Sequence, residues 1–161
     1  MFLDGLSFLE EERDAWRPFE ALDALSDADL DRPVAGAHGW SGRDLMAHLA
    51  AWQDVALRIA RELALGETAP TIAEIDADWE ARGGEAVNAE LGEQWAALPL
   101  DELRDRARRI PGELRGYLTV VPESRWVKHE RHMEAILGET LDHYAEHEAD
   151  LRAILAAAGR A

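Results

Sequence analysis

Apolar residues recur along this chain at three- and four-residue spacing and almost never alternate. Leu6, Leu9, Trp16, Phe19 and Leu22 predict a first helix from about Leu6 to Leu25. Pro18 lies inside that span and argues for a kink or a later start. Pro33, Gly36 and Gly39 make 26–39 a loop. The second helix opens at Ser41, with Asp44 three residues on as an acidic capping box. It carries the stripe Leu45, Leu49, Trp52, Ala56, Ile59 and Leu63, and Gly66 fits the position just past its end. The stretch 67–99 is less regular. A short helix with Ile72, Ile75 and Trp79 breaks at Gly83-Gly84, and another short piece spans Val87 to Ala97. Pro99-Leu100-Asp101 opens a third long helix faced by Leu103, Ile110, Leu114, Tyr117 and Leu118, in which Pro111 predicts a kink or a split. The last helix begins between His129 and Met133 and reaches about Ala157. Its stripe is Met133, Ile136, Leu137, Leu141, Tyr144, Leu151, Ile154 and Leu155, and Gly159 ends it. Thr119-Val120-Val121 is the one strand-like run, and Pro122 stops it. The expected fold is all-α: one domain over residues 1–161, a four-helix bundle with a partly helical excursion between the second and third bundle helices. The pattern leaves the choice between up-and-down and crossover connections open.

Charge and composition narrow the partners. The 161 residues include 33 acids against 17 Lys and Arg, a net charge of −16. So acidic a surface repels phosphate backbones and anionic lipid, which excludes nucleic acid and membrane surfaces as expected partners. No run approaches the roughly 18 apolar residues that span a bilayer. Met1 to Glu12 carries acids and no basic segment, so the expectation is a cytoplasmic chain without a signal peptide. There are no cysteines. Thiolate ligands and cysteine nucleophiles are therefore excluded, and any thiol chemistry must use a thiol brought as a small molecule.

Histidine changes the picture most. His143 and His147 are one turn apart on a strongly predicted helix and share a face. Two imidazoles so spaced can share an ion, although the H-E-x-x-H zinc motif itself is absent, Tyr144 and Ala145 filling its middle. Both tilt toward the apolar stripe. His48 falls within the Leu45–Leu49–Trp52 arc of the second helix and also points inward. Three inward histidines on two helices can meet at one point and hold a divalent ion, with further positions left for water or substrate. The plainer alternative is that each is an ordinary core or boundary histidine.

The segment Trp40-Ser-Gly-Arg-Asp-Leu-Met-Ala-His-Leu-Ala-Ala-Trp52 resembles the second-helix signature of the DinB/YfiT-like superfamily. Thr140-Leu-Asp-His-Tyr-Ala-Glu-His-Glu-Ala-Asp-Leu151 resembles its last-helix signature with paired histidines, and Asn88-Ala89-Glu90 resembles a segment common in these proteins. Residues 67–85 match nothing recognisable. The resemblance implies a four-helix bundle with an up-up-down-down type connection. It implies one nickel, zinc or iron ion held by His48, His143 and His147. It also implies kinship with thiol-dependent transferases and isomerases that use mycothiol or bacillithiol, and with hydrolase-like self-resistance proteins. A site is thereby implied, and not a substrate.

Two function classes follow. One is a metal-dependent transferase or hydrolase acting on a small molecule, its ion activating a thiol or water. The other is a non-catalytic metal- or ligand-binding bundle associated with stress or resistance. An open metal position facing a cavity distinguishes the first from the second. Trp52 and Tyr144 are the candidate pocket-lining residues, Tyr144 being as readily a core residue. Glu139 and Asp142 are candidate partners for an imidazole N–H. Glu146 and Glu148 read as solvated, and no general base stands out. His129 and His132 read as a solvated helix start, His38 as a loop residue facing solvent, and Trp40 as a hydrophobic staple. Trp79 and Trp126 lie outside the long stripes. They suggest either a homodimer contact or, respectively, a lid over the bundle mouth and a cap on the core.

Overall fold

A computed structural model describes residues 2–160. Its α-helices are α1 (Gly5–Trp16), α2 (Asp27–Leu30), α3 (Gly42–Leu65), α4 (Pro70–Arg82), α5 (Gly84–Ala96), α6 (Leu100–Val120), α7 (Glu130–Leu137) and α8 (His143–Ala157). Among the described residues there is no strand. The bundle consists of α1 with its 3-10 continuation, α3, α6, and the α7–α8 rod. No helix among the described residues is long and apolar enough to cross a membrane.

Each boundary has a local cause. Ser41 accepts from the Asp44 N–H while Asp44 accepts from the Ser41 N–H, so the capping box forms as the spacing predicts. Pro18 does not kink an α-helix. The chain tightens into a 3-10 helix over Arg17–Ala24, with Pro18 at its second position. α6 is not split at Pro111, which is buried within it. Gly66 follows α3 directly in an extended conformation rather than a left-handed one. At the α4–α5 break Gly83 takes φ 82°. A Cβ on the next residue, Gly84, would lie 2.9 Å from the Trp79 ring. Two glycines thus let α5 turn back close to α4.

α3 is the central helix, packed against α6, α5, α4 and the α7–α8 rod. Sixteen of its residues are buried, which is why its pattern reads so strongly. The excursion between the second and third bundle helices is the nearly continuous pair α4 and α5, and it lies on α3 of the same chain. The first helix differs from its predicted face: Leu6 is 65% exposed, while Phe8, Glu12 and Trp16 point inward. Trp126 is buried within the chain, edge-on to Phe8 at 5.4 Å, with its indole N–H donated to the Val121 carbonyl. Burying each of these large rings contributes on the order of 2–3 kcal/mol. Trp126 thus caps the core and is not available to a second copy. Trp79 stays partly exposed.

Between α7 and α8 the helix widens to a π turn over Gly138–Asp142. The extra residue resets the helical phase. Thr140, not Leu137 or Leu141, is fully buried there, its hydroxyl donated to the Ile136 carbonyl. The π turn ends directly before His143.

Candidate metal centre

His48 reaches the centre from the middle of α3, and His143 and His147 from the first two turns of α8. The Nε2 atoms of His48 and His143 are 2.8 Å apart. One ligand nitrogen from each of the three histidines lies within 4.8 Å of the others. The Nδ1 of His147 is 2.9 Å from Asp150 Oδ2, which leaves its Nε2 as the free donor. Asp150 is buried, and its other oxygen is 3.1 Å from Nδ1 of His38. His38 itself is exposed and sits in the left-handed region at φ 57°. It thereby ties the 35–39 loop to the carboxylate that orients His147.

Indole rings wall the cluster. Trp40 stacks on His147 (centroids 5.4 Å apart, 21° between planes) and stands edge-on to His48 at 5.0 Å. Trp52 is tilted over His143 at 5.8 Å and donates its N–H to Asn88 Oδ1 at 2.9 Å. Trp79 approaches the far edge of Trp52. The α5 segment that carries Asn88 is therefore pinned to the same wall.

Burial, and then the neighbouring imidazoles, pull the His48 pKa down to about 3 and that of His143 to about 4. Both rings are neutral at physiological pH. Neutral, convergent imidazole nitrogens are the donor set a divalent transition metal requires, so the three residues fit such an ion. Glu139, in the π turn, has a carboxyl oxygen 4.0 Å from His143 Nδ1, and burial pushes its pKa up to about 8.

These shifts set the acid stability of the metal-free chain. His48 and His143 are depressed below 6.5, so unfolding takes up protons below that pH and stability falls. Glu139 is raised from 4.5, so its neutral form offsets one of the two histidines as pH falls toward 4.5. The expected net loss between pH 6.5 and 4.5 is about 1.4 kcal/mol per pH unit. Urea titrations in chelator at pH 7, 6 and 5 check it. A stability unchanged or rising over that interval would contradict it.

Tyr144 is not at this centre. It is fully buried on the core side, between Trp16 and Phe19, and its hydroxyl donates to Glu12 and accepts from Gln53. Glu146 and Glu148 are exposed, Glu148 paired with Arg152. His132 corrects the expectation of a solvated helix start. It is buried, with Nδ1 2.7 Å from the Arg125 carbonyl and its ring stacked on His129 at 3.7 Å. Sequence reasoning missed Asp150 and the stacking role of Trp40. Asp150 had a signal, since its i,i+3 spacing from His147 is what an imidazole N–H partner needs.

A cavity of about 530 Å3 opens beside His48, lined by Trp40, Asp44, Asn88, Glu85, Glu93 and neighbouring small residues of α5. No curated protein and no solved structure matches the chain. Residues 9–152 match the family model described as the mycothiol maleylpyruvate isomerase N-terminal domain. With α3 and α8 bringing the histidines of both signature segments together, the chain belongs to that family of DinB/YfiT-like helical domains.

Proposed function

We propose that the protein is a metal-dependent enzyme acting on a small molecule, with one nickel, zinc or iron ion held by His48, His143 and His147. The observation that carries this reading is the cavity against His48, which leaves the ligand cluster open to a small molecule on one side. A closed structural site would have no such access.

The ion, when bound, supplies Lewis acidity that lowers the pKa of water or thiol and polarises a carbonyl. The chain's own residues prepare the place. Desolvation keeps His48 and His143 unprotonated. Asp150 fixes the tautomer and orientation of His147 by accepting from its Nδ1–H. Trp40 and Trp52 brace the ring planes and exclude water from two sides. The chain has no cysteine, so a thiol in the reaction arrives with a cofactor. The family description names mycothiol, and a low-molecular-weight thiol of that kind is the proposed co-substrate.

The test is consumption of such a thiol by the metal-loaded chain in the presence of a small electrophile. Turnover lost on chelation and in His48→Ala supports the reading. Turnover indifferent to both contradicts it. Asp150→Asn is expected to weaken metal affinity by about 10–100-fold while the chain stays folded, checked by competition with a chromogenic chelator.

A further inference from the structure

We propose that the cavity beside His48 takes a small molecule carrying a cationic amine, recognised by Glu85, Glu93 and the indole of Trp40. This names a substrate class for the site proposed above and rests on that reading for where the chemistry occurs.

The lining is one-sided in charge. Asp44, Glu85 and Glu93 border the cavity, and no arginine or lysine does. Glu85 and Glu93 stand at the α5 rim, and among the described residues neither has a basic side chain within ion-pair distance. The rest of the surface behaves otherwise. In the cavity between Phe19 and Pro111, Arg108 and Arg115 are paired with Asp23 and Glu12. In the cavity under Trp79, Arg131 is paired with Asp76. The His48 cavity is thus the one of the three whose charge is uncompensated.

Its other walls suit the same ligand. Trp40 offers an indole face or edge at the inner end, and an ammonium is attracted to such a ring. Asn88 spends its carbonyl oxygen on Trp52, so its amide N–H groups remain to donate to an oxygen elsewhere on the molecule. A carboxylate ligand would enter against three carboxylates and the overall charge of −16 and would meet no cation.

The experiment measures affinity for phenethylamine and phenylacetate, a pair similar in size and opposite in charge, by calorimetry at 0.15 M salt. The full chain is used as purified and again after chelator dialysis. Phenethylamine is expected to bind about tenfold more tightly in both preparations, the size of effect two rim carboxylates give on ligands of opposite sign. Glu85→Gln/Glu93→Gln should bring the ratio to within about twofold. Glu10→Gln/Glu11→Gln, equal in net charge but on α1, should leave it unchanged. The proposal is overturned by equal or tighter phenylacetate binding, by no binding of either probe, by a preference seen only before dialysis, or by an equal effect of the α1 pair. Metal content is measured separately, so a chain that binds no metal yet keeps the amine preference refutes the metal reading alone.

Discussion

Replacing Glu12 with alanine is expected to lower the unfolding free energy by about 3–5 kcal/mol, more than any single surface change in this chain. Glu12 is fully buried on the inward face of α1. One carboxyl oxygen is 2.8 Å from Arg115 of α6 and the other accepts from Tyr144 of α8. Gln53 of α3 donates to the same tyrosine. Four helices therefore meet on one polar chain. Burial pushes the Glu12 pKa up despite the guanidinium, and pushes Tyr144 far above its ordinary range. Removing the carboxylate strands a guanidinium and a hydroxyl in a dry core, and the cost is mainly theirs. Glu12→Leu combined with Arg115→Met should cost far less, because both charges leave together. Thermal denaturation checks the pair. The alanine variant should melt roughly 10 °C lower. A melting temperature within a degree or two of the wild type would show that the network contributes nothing.

Alanine at His48, His143 or His147 should each erase the stabilisation that divalent metal confers. An ion bound only by the folded chain stabilises it by mass action, about 3–4 kcal/mol at several hundred times Kd. The wild type should therefore melt several degrees higher with nickel or zinc than in chelator. Each variant loses one of three donors, and its affinity should fall by more than the roughly hundredfold typical of losing an outer-shell partner. In chelator the His48→Ala and His143→Ala variants should also lose less stability on acidification, since a depressed imidazole has been removed. A variant whose melting temperature still rises with metal as the wild type's does would remove that histidine from the ligand set.

The long amphipathic helices were legible because their signals are local. The Ser41–Asp44 capping box, the α3 stripe and the His143–His147 spacing each lie within a turn or two of chain. What was not legible depended on partners distant in sequence. The inward row of α1 runs through a glutamate, so the apolar pattern pointed to Leu6 instead, and only Arg115 and Tyr144 explain why Glu12 can be buried. The π turn has no residue signature, yet it shifts the phase of every side chain after it. That shift is why Leu137 and Leu141 stood in the predicted stripe while Thr140 fills the core. Tyr144 shares its helix with the histidines but projects into the core, because one residue along a helix turns the side chain by about 100°. Trp40 read as an entry staple because nothing in its neighbourhood shows that His147, over a hundred residues later, stacks on it.

The most direct measurement is the metal content of the full chain purified without a metal-affinity column. Elemental analysis should find one divalent transition-metal ion per chain in the wild type and nearly none in His48→Ala, His143→Ala or His147→Ala. A wild type that neither carries nor takes up an ion, or a His143→Ala variant with the full complement, would contradict a three-histidine metal centre between α3 and α8.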